Sequence, residues 1–329
     1  MMDVMRKAIY MLSVLCVAAL WGGCQRGGGE EGTAEVTLRF ATRADGTDGT
    51  DPNALPNEGI KTLRVILYKD GEIYRVDRLR DFTGDESPVL VKSVKVYDVP
   101  LGNITFYLIA NEGSIGKTYD TPKAIRDDFV EVNGMQKLLV KEGWKFFPLA
   151  AEDIVATGLP MAGVKTVEIT EDTESLDITL ERAVAKLNLT IENALTEDIT
   201  VKNINFGNFM SDRVYLFRTR NVDMPDGTTY GEWSSPYNQT IPAGTNGTFV
   251  GYVYPSNART GSNTYTLGLQ TTGSNYRPSP IVQRTQQLAY IVRNTQVNIR
   301  ATISKEATVS VSYEVTDWVP ESVNVPPFN

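Results

Sequence analysis

The sequence predicts an all-β protein made of two tandem antiparallel β-sandwich domains, with one or two short helices in the first. The main evidence is that apolar and polar residues alternate in many short runs, as they do in half-buried strands. These runs are separated by Gly, Pro, Asn and Asp, which favour turns. The chain has 329 residues, which suits about two domains of roughly 150 residues each.

The first 23 residues are predicted to be a signal peptide for export. Arg6 and Lys7 precede a largely apolar stretch at 8–20, which is shorter than the roughly 20 residues that a membrane-spanning helix needs. Small residues lie directly before Cys24 and resemble a bacterial lipobox, in which the cysteine is lipidated and becomes the mature N-terminus. The alternative is ordinary cleavage near Gly23 without lipidation. Residues 24–32 are glycine-rich and predict a flexible tether.

The first sandwich domain is predicted to span residues 33–180. Its first strand places Val36, Leu38 and Phe40 on one face, because successive strand residues point to opposite sides of a sheet. Thr121 and Pro122 have the residue types of a helix N-terminus. The further strands of this domain are expected at 63–68, 73–76, 89–99, 104–110, 167–169 and 176–180, and its helices at 123–130 and 148–154.

The second sandwich domain is predicted to span residues 181–329, and both domains are expected to be of the transthyretin-like or immunoglobulin-like type. Its strands are expected at 184–191, 199–206, 248–254, 264–269, 288–293, 297–303 and 309–315. A terminal extension follows, in which Val319, Val323 and Val325 are separated by even numbers of residues and would face one way in an extended chain. Prolines in this extension lack N–H donors and argue against a long ladder.

Composition excludes several kinds of chemistry. The chain has no histidine, two cysteines and a net charge of −8, so histidine-based catalysis, a four-cysteine zinc site and a basic surface for nucleic acid are not expected. The acidic residues at 45–51 lack the full spacing of a calcium loop. Composition does not exclude catalysis by carboxylates, and an enzyme that uses carboxylates alone is a further alternative. Neighbouring carboxylates point to opposite faces of a strand or lie in solvated loops, so we predict no catalytic residues, no metal and no cofactor.

Several separated segments together resemble a known family. They are Thr42-Arg43-Ala44 after the first strand, IKTLRVILY at 60–68, VPLGNITFYLIANEG at 99–113, LPMAG at 159–163, LERAVAKLNLTIEN at 180–193, YVYPSN at 252–257, IVRNTQVNIRATI at 291–303 and VSYEVTDW at 311–318. With the lipobox-like cysteine, their order and spacing resemble the FimA-type fimbrillins, the major fimbrial subunits of type V pili.

That resemblance implies a structural subunit of a cell-surface fimbrium that supports adhesion. The subunit would be exported as an outer-membrane lipoprotein through Cys24 and cleaved between Arg43 and Ala44 by an Arg-specific protease. It would then polymerise with other fimbrial subunits by strand exchange. The strand lost with residues 24–43 would carry Val36, Leu38 and Phe40 as temporary plugs. In the family the C-terminal segment is implicated in filling the neighbour's groove, which here makes Val319, Val323 and Val325 the candidate donor residues.

Elementary physics agrees with such a mechanism. A sandwich that loses a strand exposes an apolar groove and a row of unpaired backbone N–H and C=O groups, and this groove is a template for a strand from another chain. The acidic, low-propensity loop after Arg43 favours access by a protease.

Alternatives remain at each step. An uncut loop after Arg43 would indicate a fimbrial anchor or tip subunit outside the polymerised shaft. Other arginines also offer protease sites, namely Arg78, Arg80, Arg218 and Arg220. The terminal extension is as compatible with a surface tail packed on its own domain. A surface glycan-binding lipoprotein is a further alternative, because aromatic residues cluster at 230–237, although a packing role for Trp233 and Tyr237 is the simpler interpretation.

Overall fold

The computed structural model describes ten stretches of the chain, and nearly all of their regular structure is β-strand, which confirms the all-β prediction. These stretches are residues 32–42, 58–84, 91–132, 135–138, 149–150, 157–217, 224–257, 264–284, 286–304 and 309–318. No helix within them is both long and apolar enough to cross a membrane.

Strands β1–β11 and one helix occupy the first half of the chain. The strands are β1 (Thr33–Thr42), β2 (Thr62–Lys69), β3 (Glu72–Val76), β4 (Arg80–Asp81), β5 (Val91–Pro100), β6 (Gly102–Ala110), β7 (Phe129–Val132), β8 (Met135–Leu138), β9 (Leu149–Ala150), β10 (Met161–Ile169) and β11 (Ser175–Arg182). A single 3₁₀ turn spans Glu112–Ile115, and helix α1 spans Pro122–Asp128.

Strands β12–β21 occupy the second half. They are β12 (Ala185–Asn193), β13 (Ile199–Ser211), β14 (Tyr230–Ile241), β15 (Asn246–Val253), β16 (Thr266–Thr271), β17 (Asn275–Pro280), β18 (Val282–Gln283), β19 (Gln286–Gln287), β20 (Thr295–Ile303) and β21 (Val309–Asp317).

Two hydrophobic clusters form the cores of the two halves. The first is built mainly from an eight-stranded sheet in the order β3-β2-β6-β10-β11-β1-β5, with β4 beside β2. The second lies between a seven-stranded sheet, β19-β18-β21-β20-β12-β15-β9, and a four-stranded sheet, β14-β13-β16-β17. Buried apolar residues up to Val184 belong to the first cluster, and most of those from Ala185 onwards belong to the second, close to the predicted boundary. Later residues that pack in the first cluster are Val214, Leu216, Phe217, Tyr252, Tyr254 and Trp318. The assignment of domains stays a prediction.

The predicted start of helix α1 at Thr121 and Pro122 is confirmed. The Thr121 hydroxyl accepts a hydrogen bond from the Ala124 backbone N–H at 3.2 Å, as an N-cap residue does. Pro122 begins the helix, where its missing N–H costs nothing. The helix ends at Asp128, and Phe129 already belongs to β7.

Three expectations are wrong in detail. Pairing is not purely antiparallel, because β1–β11, β12–β20 and β18–β21 are parallel; long intervening chain lets a strand return in the same direction. Leu149–Ala150, expected in a helix, pairs as β9 with β15, where it continues the ladder of the seven-stranded sheet. The strand expected at 288–293 is reduced to one bridge between Ser256 and Ile291.

Candidate functional site

Strand β1 lies inside the first sheet, between β5 and β11. It runs antiparallel to β5 and parallel to β11, so both of its backbone edges are paired. Leu38 is opposite Val94 of β5 and beside Leu176 of β11. We call the space that β1 fills between these two strands the β1 slot.

One face of β1 is fully buried in the first core. Val36 and Leu38 are 0% exposed and Phe40 is 1% exposed. The ring of Phe40 lies 6.1 Å from that of Phe82. Full burial of such a side chain contributes about 1.5–3 kcal/mol, so the three residues proposed as plugs are well placed to hold β1 in its slot.

The opposite face of β1 is polar and faces water. Glu35 and Arg39 are exposed, and the Glu35 carboxylate pairs with the Lys95 ammonium of β5 at 2.5 Å. The hydrogen bond and the charge of Glu35 raise the pKa of Lys95 above its ordinary value. Because both groups are exposed, the pair contributes little to stability. The strength of β1 docking therefore comes from its apolar face and its backbone ladder.

The position of β1 in the chain makes it separable by one cut. Every other strand of the structure begins at residue 62 or later, and β1 reaches them only through residues 43–61. A single break after residue 42 would therefore disconnect β1 from the rest of the sheet. Arg43 and Ala44, the expected cleavage residues, lie outside the described residues, as does Cys24.

Loss of β1 would leave two strands without a neighbour on one side. Within the described part of the chain, β5 pairs only with β1, and β11 pairs with β1 over Ser175–Leu180. The exposed slot would have an apolar floor and backbone N–H and C=O groups along both walls. Unpaired edges of this kind recruit an extended chain.

Trp318 marks the base of the C-terminal extension. It is 1% exposed and belongs to the first hydrophobic cluster, although it follows β21 of the second. Its ring stacks on Tyr252 at 5.9 Å, and the Arg182 guanidinium lies 4.4 Å from the ring centroid. The predicted role of Trp318 as a core residue agrees with this packing. Val319, Val323 and Val325 lie outside the described residues.

A buried ion pair lies beside the same tryptophan. The Lys186 ammonium is 2.6 Å from the Glu58 carboxylate, and the Tyr252 hydroxyl lies 3.2 Å from the same oxygen. Glu58 is 1% exposed and Lys186 is 9% exposed. Removal of either Glu58 or Lys186 would leave the charge of the other buried and uncompensated. The ion pair also joins two residues that are 128 positions apart in the sequence.

The aromatic residues at 230–237 pack inward, which confirms the simpler interpretation of them. Trp233 on β14 is buried and stacks on Phe206 at 4.7 Å. The Tyr237 hydroxyl donates to the Thr248 carbonyl at 3.1 Å. Trp233 is therefore not an open platform for a sugar, and Tyr237 is partly buried against the second cluster.

The described stretches contain no group of three or more carboxylate or cysteine side chains that could hold a metal ion. Buried tyrosines carry the large pKa shifts of the structure. Burial and the nearby Asp128 carboxylate raise the pKa of Tyr119, and burial raises the pKa of Tyr254. A raised pKa keeps the phenol neutral, so these shifts indicate packing inside the core.

Sequence reasoning missed the charged residues that pack inside the protein. Arg182 is fully buried and Glu58 nearly so. A signal for Arg182 was present, since it follows Ile178 and Leu180 at even spacing and so shares their inward face. Glu58 carries no such signal, because it lies before β2 and its partner Lys186 is 128 positions away.

Comparisons with solved structures show the fold. Three solved structures share the fold. The tip fimbrial protein Mfa3 of Porphyromonas gingivalis, with a C-terminal truncation, has a TM-score of 0.53 and 14% identity over 87% of this chain and 100% of its own. A proposed cell adhesion protein of Parabacteroides distasonis has a TM-score of 0.55 and 14% identity over 88% and 98%. A proposed cell adhesion protein of Bacteroides uniformis has a TM-score of 0.51 and 16% identity over 87% and 99%.

The particular family follows from the sequence. The model of the fimbrillin-A associated anchor proteins Mfa1 and Mfa2 matches residues 29–324, and the chain belongs to this family. No protein with a curated description matches the chain. The family consists of fimbrial proteins and not of enzymes, which confirms the non-enzymatic prediction, and it implies a cell-surface fimbrium. The predicted resemblance is right at the level of fimbrial proteins, but the FimA type is not confirmed.

Proposed function

We propose that this chain is a fimbrial subunit whose strand β1 is removed and replaced by a strand from another subunit. The observation that carries the proposal is the position of β1. This strand fills a slot between β5 and β11, buries Val36, Leu38 and Phe40 there, and precedes every other strand that the structure describes. One cut between β1 and β2 would disconnect β1 from the described strands that follow it. The slot it leaves fits an extended segment of a second copy.

The N-terminal segment gives this proposal a membrane stage. Lipidated Cys24 would hold the precursor at the outer membrane, and a single acyl chain binds a membrane only marginally, so stable attachment needs two or more chains. Cleavage between Arg43 and Ala44 by an Arg-specific protease would release the lipid and β1 together. The same bond would therefore control detachment from the membrane and opening of the slot.

A second role, that of an anchor or tip subunit, is favoured by the family model, which describes anchor proteins. An uncut bond at Arg43 would keep the lipid at Cys24 joined to the folded body and would keep β1 in its slot. Such a subunit would stay at the membrane and would not accept a strand. One peptide bond thus separates the shaft role from the anchor role in this account.

Two further parts of the proposal concern the whole chain. The two hydrophobic clusters support tandem sandwich domains at 33–180 and 181–329, of the transthyretin-like or immunoglobulin-like type. The extension with Val319, Val323 and Val325 is the proposed donor. Trp318 is buried, and this burial supports the proposal because it fixes the point at which the extension begins.

The direct experiment treats the purified full chain with an Arg-specific protease. We expect one early cut that gives a new N-terminus at Ala44, followed by SDS-resistant ladders on unheated gels. Arg43→Ala should abolish both the cut and the ladders. Arg78→Ala is the matched control and should change neither.

Two results would contradict parts of the proposal. Normal ladders from Arg43→Ala would exclude processing at this bond. If the protein at the surface of fimbriated cells retains its lipid and residues 24–43, the anchor role is favoured. Deletion of residues 319–329 tests the donor separately, because unchanged ladders would exclude that segment.

A further inference from the structure

Strand β5 is held in the first sheet by one neighbouring strand among those described. It forms the edge of the first sheet and, among the described strands, pairs only with β1. If β1 leaves, β5 loses all of its strand ladder at once. An incoming strand then needs a wall that has kept its position, so something other than β1 must hold β5.

Arg75 of β3 reaches across to β5 and binds its backbone. Its guanidinium donates to the carbonyl of Tyr97 at 2.7 Å and to the carbonyl of Asp98 at 3.1 Å. The same guanidinium is fixed from behind by Asp77, whose carboxylate accepts from Nε at 2.7 Å. One planar group with several donors in a fixed geometry can make all three bonds together.

The bound carbonyls belong to a β-bulge. Between the pairs Ala34–Val99 and Val36–Val96, two residues of β5 oppose one residue of β1, and Asp98 has φ = +52°. A bulge leaves backbone groups without a ladder partner. Arg75 supplies that partner from a different part of the sheet.

Arg80 of β4 makes a second bond of this kind, because its guanidinium donates to the carbonyl of Lys95 at 3.3 Å. Both β3 and β4 pair with β2, so both arginines are attached to strands far from β5 in the order of the sheet. None of these hydrogen bonds involves a residue of β1.

We propose that Arg75 and Arg80 form an arginine clasp that holds β5 in place when β1 leaves. The clasp keeps the wall of the β1 slot ready for a new strand. This inference rests on the proposed function.

The slot then selects its partner by chemistry. The partner is an extended segment of a second copy with apolar side chains at alternate positions, since the floor of the slot accepts Val36, Leu38 and Phe40 at a spacing of two. A segment that keeps the direction of β1 pairs antiparallel to β5 and parallel to β11.

The first test uses hydrogen exchange in the intact full chain and does not require β1 to leave. The double variant Arg75→Gln, Arg80→Gln should exchange the amides of 91–100 about tenfold faster or more, because charged hydrogen bonds to this strand are lost. The amides of β12 and β20 should stay unchanged. The matched control Arg277→Gln, Arg284→Gln removes the same charge from exposed positions near β17 and β18. Equal exchange of β5 in both double variants would overturn the clasp.

A single variant covers the case in which the double variant fails to fold. Arg75→Lys keeps the charge but cannot bind two carbonyls and Asp77 in the same way. It should speed the exchange of 91–100 by a smaller factor. Exchange identical to that of the natural chain would count against the clasp.

The second test separates the clasp from the proposed function. A full chain with an engineered protease site within 44–57 is cut after folding, and a synthetic peptide of residues 33–42 is added in excess as the probe. With the clasp intact, we expect the labelled peptide to replace β1 and 91–100 to stay protected. The Gln double variant should take up the peptide about tenfold more slowly or worse. If the peptide replaces β1 in neither protein, strand release is refuted, and hydrogen exchange of β5 in the intact chain still decides the clasp. If both proteins take up the peptide equally fast, the clasp alone is overturned.

Discussion

The buried face of β1 gives the sharpest mutational prediction. Leu38 is 0% exposed and is flanked by Val94 and Leu176, so its truncation leaves a cavity with a strand on each side. Leu38→Ala should lower the free energy of unfolding of the full chain by about 2–5 kcal/mol. The neighbours belong to two separate strands, so the site cannot collapse easily and the upper part of that range is expected.

The matched control is Arg39→Ala, which removes a larger side chain from the next position of the same strand. Arg39 is exposed, and an exposed substitution usually changes stability by about 0.5 kcal/mol or less. The assay is equilibrium unfolding in urea, monitored by the fluorescence of tyrosine and tryptophan. In cut protein, weaker docking by 2 kcal/mol should speed release of β1 by about 30-fold, since about 1.4 kcal/mol corresponds to a factor of ten.

The result that would refute this reasoning is equal stability of the two variants. It would mean that the apolar face of β1 does not hold the strand in its slot. A large loss for Leu38→Ala without faster release in cut protein would instead separate folding from strand exchange, and would contradict the role of the plug residues.

Three further predictions concern the base of the extension and the surface of the slot. Trp318→Ala should lower the free energy of unfolding by about 3–5 kcal/mol, measured by urea unfolding; a loss below that of Arg39→Ala would exclude its anchoring role. Glu58→Gln should destabilise by about 3–5 kcal/mol because the Lys186 charge stays buried, and the double change with Lys186→Met should recover much of this in the same assay. Glu35 raises the pKa of Lys95, so the pair's small stabilisation is present below the ordinary lysine pKa and is lost as the pH rises through the raised value. Glu35→Gln should return the lysine pKa in an NMR titration towards its ordinary value, and an unchanged pKa would refute the pairing.

The sequence was informative wherever a feature depends on neighbouring residues. Alternation identified β1 and its buried face, and the cap at Thr121 identified the start of α1. Alternation tells which residues share a face, but it does not tell which strands are neighbours. The parallel pairing of β1 with β11 therefore had no local signal, because the two strands are more than 130 residues apart.

The misses have related causes. Strand β14 was not predicted, because as an edge strand it buries few of its side chains, among them Trp233, Ser235 and Ile241. Leu149–Ala150 follows a proline and precedes acidic residues, which favoured a helix, whereas pairing with β15 sets its conformation. The bonds of Arg75 join residues that are 22 and 23 positions apart, and nothing in the local sequence distinguishes this arginine from others on the surface.

The central claim is that the β1 slot is refilled by a different strand in the fimbrium. The most direct measurement is mass spectrometry of purified polymer, combined with hydrogen exchange of the amides at 91–100 and 175–180. The account predicts that residues 33–42 of the subunit are absent from the polymer, while the amides of both slot walls remain as protected as in the precursor. Polymer that retains residues 33–42, or slot walls that exchange freely, would contradict it.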